Sequence, residues 1–137
     1  MKQKFTSIPS RTVEIARNGE SITLTMTALP LGWIEHLSAM YPEPVEYING
    51  EEVQRDDPEY WGLYGYLQLA KGLEPSGELD TPAPQGGDRK MWDTYARAVR
   101  EEFREAGLLA GDYAQLLEML NDLSKTSVKK TPDLGKN

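Results

Sequence analysis

The residues able to do chemistry in this 137-residue chain are few, and their spacing does not suit it. The single histidine, His36, stands beside Glu35, and there is no cysteine. A histidine base needs a nucleophile or a substrate proton within hydrogen-bond reach. A serine triad also needs an acid behind the histidine. Nothing marks a serine here as activated, and His36 falls between the apolar positions of a short helical pattern. It reads as a surface or partly buried histidine. Without cysteine, disulfides, thiolate-bound zinc, iron–sulfur clusters and thiol nucleophiles are excluded. Glu101, Glu102 and Glu105 are chemically able to bind a metal, but Arg97, Arg100 and Arg104 share their helix. Charge pairs on a solvated face account for them. Asp56, Asp57 and Glu59 lack the alternating acids and bend glycine of a calcium loop. Gly86-Gly87 precedes a helix, whose first N–H groups can hold an anion. Asp88 occupies that place, however, and no phosphate-loop lysine follows. The expectation is a non-enzymatic chain with no catalytic residue, no metal and no cofactor.

The aromatic residues are the other feature. Tyr60, Trp61, Tyr64 and Tyr66 crowd one helical stretch and point to more than one side of it. A core uses one stripe of a helix, whereas Trp, Tyr and Met are enriched where proteins meet. The second side faces either a partner or a covering loop of the same chain, and the pattern leaves both open.

These residues must be positioned by elements with their own signals. Thr12–Ala16 and Ser21–Ala28 alternate apolar and polar residues around Asn18-Gly19. Asn-Gly suits a two-residue type I′ turn. That turn predicts the pairs Arg17 with Glu20, Ile15 with Ile22, Val13 with Leu24, Glu14 with Thr23 and Thr12 with Thr25. One face is then apolar (Val13, Ile15, Ile22, Leu24, Met26), and both outer edges lack a further strand. Trp33, Ile34, Leu37, Met40 and Tyr41 recur at helical spacing and must stop near Pro42. Residues 43–59 form an acidic connector. Its second Asn-Gly, Asn49-Gly50, is flanked by 45–48 and 51–54, whose alternation is too poor to decide between a small hairpin and a coil. Asp57-Pro58-Glu59 starts a helix expected to run to Lys71 and end at Gly72. Gly62 and Gly65 in it either admit a neighbouring helix or are simply tolerated. Residues 74–87 read as a Pro/Gly loop. A helix follows from Asp88 to Ala106 with Met91, Trp92, Tyr95, Val99 and Phe103 as its stripe. Leu108–Gly111 is a connector, and Asp112 caps a last helix bearing Tyr113, Leu116, Leu117, Leu120 and Leu123.

The organisation is therefore a flexible lead-in at 1–10, a single α+β domain over 11–124, and a flexible basic tail at 125–137. The fold expected is an N-terminal β-hairpin packed on a bundle of about four helices. Apolar residues are 39% of the chain, or about 48% with glycine, which is enough for one core. The net charge of -7 argues against nucleic acid and anionic membranes as partners. The N-terminal Met1–Phe5 is basic without the apolar run of a signal peptide. No stretch reaches the roughly 18 apolar residues of a membrane span. The expected location is the cytoplasm.

The order of features resembles a known family. A short hairpin leads into Pro30-Leu31-Gly32-Trp33, then an acidic connector, then Arg55-Asp56-Asp57-Pro58-Glu59-Tyr60 at a helix start. Over Arg11 to Lys71 this is similar to the tail assembly chaperones of long-tailed bacteriophages. The resemblance implies a protein without chemistry or cofactor that coats the aggregation-prone tape measure protein and helps tail tube subunits assemble around it, in the host cell cytoplasm. It implies partner contacts at Leu29, Trp33 and Leu37 of the first helix region and at Tyr60, Trp61 and Tyr64 of the second, as residues running from core to interface. The competing expectation is a structural virion subunit, a tail or head-tail component, that self-associates through the hairpin edges by strand addition.

Overall fold

The computed structural model describes residues 1–125; most of the expected basic tail, 126–137, lies outside the described residues. Strands β1 (Ser10–Arg17) and β2 (Glu20–Thr27) form the N-terminal hairpin. Asn18 and Gly19 turn it with φ of 52° and 82°, the left-handed pair that matches the twist of the strands. The register is the expected one, from Arg17 opposite Glu20 through Ile15 with Ile22 and Val13 with Leu24 to Thr12 with Thr25. The ladder reaches one step beyond the strands, where the Ala28 N–H donates to the Pro9 carbonyl at 2.9 Å. Val13 and Met26 are buried and Ile15, Ile22 and Leu24 half-buried on the apolar face. On the other face the Thr12 and Thr25 hydroxyls meet at 2.9 Å.

Helix α1 (Trp33–Met40) follows, ending ahead of Pro42. Strands β3 (Val45–Ile48) and β4 (Glu51–Gln54) then form a second hairpin. Its turn decides what its poor alternation could not: Asn49 and Gly50 take φ of 53° and 81°. Helix α2 (Pro58–Leu73) is capped by Asp57, whose carboxylate accepts from the Glu59 and Tyr60 N–H groups at 3.1 and 3.4 Å. This helix does not end at Gly72 as expected. It runs to Leu73 and tightens into a 3-10 turn, Glu74–Ser76, closed by Gly77 at φ 66°. Gly72 instead serves packing. A Cβ there would fall 2.7 Å from Leu120 Cδ1 and 3.3 Å from the Thr27 carbonyl oxygen.

Helix α3 (Arg89–Glu105) is capped by Asp88, which accepts from the Met91 N–H at 3.1 Å. It ends in a Schellman motif: Gly107 N–H donates to Arg104 and Leu108 N–H to Phe103, at 3.0 and 3.1 Å. Helix α4 (Ala110–Leu123) begins two residues ahead of the expected cap. Asp112 lies inside its first turn and reaches back to the Leu109 N–H at 2.8 Å, one half of a capping box.

Helix α2 is central, with α3, α4 and β2 packed against it. Its buried residues, from Tyr60 and Leu63 through Leu67, Leu69, Ala70 and Leu73, exceed a single stripe. Trp33 and Leu37 of α1, Trp92, Tyr95, Ala96, Val99 and Phe103 of α3, and Leu116 and Leu120 of α4 complete the core. Met91, expected in the α3 stripe, is 51% exposed. The fold is α+β: an N-terminal hairpin and a second small sheet with four helices. The Pro/Gly loop 74–87 is anchored. Glu102 accepts from the Asp80 and Thr81 N–H groups at 2.8 and 2.9 Å, and Leu79 and Ala83 pack against the core.

Candidate interaction surface

The aromatic residues divide into a buried set and an exposed set. Trp33 and Trp92 meet edge-on at 6.0 Å, with Tyr95 edge-on to Trp92 at 6.1 Å. Neither buried indole N–H has a hydrogen-bond partner among the described residues. Edge-on aromatic packing offers such groups a ring face as a weak acceptor. The exposed His36 lies against both indoles, at 5.6 and 6.0 Å between ring centres. It has no carboxylate partner among the described residues. Tyr41 and Tyr60 stack at 5.0 Å, and the Tyr60 hydroxyl donates to the Tyr41 carbonyl at 2.8 Å.

A polar chain ties this cluster together. The Tyr41 hydroxyl and Arg97 Nε both donate to the Asp93 carboxylate at 2.8 Å, and Arg97 Nη1 donates to Glu59 at 2.8 Å. Burial, and then the Asp93 carboxylate, push the Tyr41 phenol far above its ordinary value. Burial pushes Tyr60 up to about 12. Burial works upward on Asp93 too, but the hydrogen bonds from Arg97 and Tyr41 outweigh it and hold the carboxyl below its usual range. Both phenols therefore stay protonated donors and Asp93 stays an acceptor near neutral pH. Each group is engaged inside the protein, so the chain joins α1, α2 and α3 without leaving a free acid or base. Among the described residues no group of three or more His, Cys, Asp or Glu is arranged to hold a metal ion. Glu101 pairs with Arg104 at 2.8 Å, whereas Glu102 turns away to hold the Pro/Gly loop.

The six residues expected at a partner surface fall on both sides of the core boundary. Leu37 is wholly buried, and Trp33 and Tyr60 are only 8% and 4% exposed, so these three are core. Leu29 and Tyr64 are half-buried against that core. Trp61 alone is open, at 49%, with Tyr64 edge-on beside it at 5.6 Å. The second side of α2 is covered mostly from within: Tyr66 packs on Phe103 and Tyr113 at 5.3 and 4.6 Å.

Two surfaces escaped the sequence reading. An apolar groove of about 1250 Å³ runs between the lead-in, the 27–35 turn and the end of α4; Phe5, Ile8, Leu29, Leu31 and Ile34 line it. Phe5, Ile8 and Leu31 are largely exposed there, and Ile34 is 45% exposed. The signal available was the presence of Phe and Ile in a stretch otherwise polar enough to be read as a loose end. The second surface is the β3–β4 hairpin, whose apolar side chains lie in solvent. No described helix is long and apolar enough to cross a membrane. Searches of family models, curated proteins and solved structures find no match to this chain.

Proposed function

We propose that this chain is a non-enzymatic assembly chaperone of the kind long-tailed phages use, holding the tape measure protein and assisting tail tube assembly in the host cytoplasm. The observation that carries the reading is the open apolar groove beside α1, with Phe5, Ile8, Leu31 and Ile34 presented to solvent around it. Monomeric proteins seldom leave large apolar patches uncovered unless something binds there. The net charge of -7 supports the same role, since it keeps a protein with a sticky surface apart from its own copies. Trp61 supplies a further exposed aromatic contact on α2.

The test is co-expression with a coiled-coil-rich tape measure protein that is insoluble alone. The intact chain keeps the client soluble. Leu31→Asp/Ile34→Asp abolishes that rescue with an unchanged melting temperature, because both side chains stand at the surface. Trp61→Ala weakens capture with little loss of stability. Failure of the intact chain to solubilise the client, or full rescue by the groove variant, overturns the reading.

A second reading, a structural virion subunit assembling through hairpin edges, has one observation in its favour. The ladder's alternation turns the N–H and C=O groups of Ser10, Thr12, Glu14 and Ala16 outward. No other backbone group bonds them among the described residues. The opposite edge is partly closed, since the Thr25 N–H donates to Glu78 at 3.1 Å. Polymerisation through β1, and recovery of the chain from purified particles, would favour this reading over the first.

A further inference from the structure

The β3–β4 hairpin stands apart from the rest of the fold. Every residue of both strands is exposed. The two strands pack substantially only on each other, and none of their large apolar side chains joins the core or packs against it. Val45, Tyr47, Ile48 and Val53 are 40%, 72%, 52% and 41% exposed. A lone two-stranded hairpin is marginal in water. This one nevertheless has the Asn-Gly turn and β-favouring residues of a built element. A hairpin with apolar groups on both faces and no packing of its own is completed by something outside it.

The charges identify what kind of partner that is. From 43 to 57 the chain carries Glu43, Glu46, Glu51, Glu52, Asp56 and Asp57 against one base, Arg55. Arg55 already lies 3.7 Å from Glu46. A second copy would bring an equally acidic arm and a body of net charge -7, so self-pairing is opposed. Nucleic acid and anionic lipid are repelled for the same reason. Cross-strand pairing sets Val45, Tyr47, Glu52 and Gln54 on one face and Glu46, Ile48, Glu51 and Val53 on the other. Each face therefore mixes apolar and acidic groups. The consecutive Glu51 and Glu52 put one carboxylate of β4 on each face.

We infer that this arm is a docking strand for an extended cationic segment of a partner protein, which adds along the β4 edge and sets lysine or arginine beside Glu51 and Glu52 and an apolar side chain beside Val53, with Ile48 and Tyr47 of β3 extending the apolar surface one strand further in, on opposite faces. Main-chain bonds to Glu52 and Gln54, whose N–H and C=O groups the ladder turns outward, give the affinity; the charges select the sign of the partner. The site does not depend on the chaperone reading, because it lies on a different surface and holds for any cationic client.

The experiment uses the full chain and a labelled peptide of alternating lysine and valine, with an alternating glutamate–valine peptide as its opposite. Fluorescence anisotropy reads affinity, and amide exchange reads protection. The expected result is binding of the cationic peptide alone, weakened about tenfold or more by Glu51→Lys/Glu52→Lys and by Tyr47→Ser/Ile48→Ser. Slowed exchange at Glu52 and Gln54 accompanies it. Because the arm packs on nothing else, these variants keep the melting temperature of the parent. A charge-matched control, Glu105→Lys/Glu118→Lys, leaves the affinity within about twofold. Equal weakening by that control, binding of the acidic peptide, absence of binding, or an arm-dependent dimer in sedimentation overturns the inference.

Discussion

Replacing three glycines of α2 by alanine, one at a time, separates helix propensity from close packing within a single helix. Alanine is favoured over glycine in a helix interior by about 1 kcal/mol. At Gly62 an added Cβ meets nothing within 4 Å. Gly62→Ala therefore stabilises by about 1 kcal/mol, which for a chain of this size raises the melting temperature by roughly 3–4 °C. At Gly72 the same methyl falls 2.7 and 3.1 Å from the two methyls of Leu120 and 3.3 Å from the Thr27 backbone oxygen. Leu120 is wholly buried and has nowhere to go, and a backbone carbonyl in the strand ladder cannot rotate away. Overpacking of this kind costs about 1–3 kcal/mol. With the upper part of that range set against the propensity gain, Gly72→Ala loses about 1–2 kcal/mol, or roughly 3–7 °C. At Gly65 the new methyl collides with the Tyr113 hydroxyl, which donates to the Gly62 carbonyl at 3.1 Å. Tyr113 must swing out, giving up that bond, worth about 1 kcal/mol, and its ring contact with Tyr66, worth about 0.5–1.5 kcal/mol; the two together exceed the propensity gain, so Gly65→Ala also destabilises. Thermal unfolding followed by circular dichroism reads all three. A melting temperature for Gly72→Ala at or above that of Gly62→Ala would refute the packing of α4 and β2 onto this helix.

Other perturbations follow from single contacts. Asp57→Ala removes the cap of α2 and costs about 1 kcal/mol, seen as a lower midpoint in urea. Burial pushes Glu102 upward, but its bonds from Thr81 and from the Asp80 and Thr81 backbone outweigh that and hold its carboxyl below the ordinary value. A carboxyl depressed in the folded state contributes stability that is fully present above its unfolded value and is lost as pH falls through the folded one. The Asp80 and Thr81 amide proton shifts should therefore titrate together below the ordinary glutamate range. Glu102→Gln should abolish that titration, and a midpoint at or above the ordinary value would contradict the anchoring of the loop.

Parts of this protein were legible in the sequence because their causes are local. Asn18-Gly19 specifies a left-handed pair of residues, so turn, register and apolar face of the first hairpin follow within a few residues of chain. Asp57-Pro58 and Asp88 cap helices by bonds spanning only a few residues, and these too were readable. Asn49-Gly50 carried the same information, but the mixed faces of 45–54 hid it, since alternation reports burial and this arm is buried nowhere.

Tertiary structure decided what depends on distant residues. Gly72 looks like a helix stop in sequence; Leu120 and Thr27 make it a contact point, and Gly77 ends the turn instead. Loop 74–87 looks structureless until Glu102 is brought to its amides. The six expected partner residues share aromatic or leucine character. Only the positions of α1, α3 and α4 around α2 put Leu37, Trp33 and Tyr60 inside and leave Trp61 out. Residue type and spacing set what each short segment can form. Which faces meet, and so which apolar groups are left for a partner, is set by contacts between segments far apart in the chain.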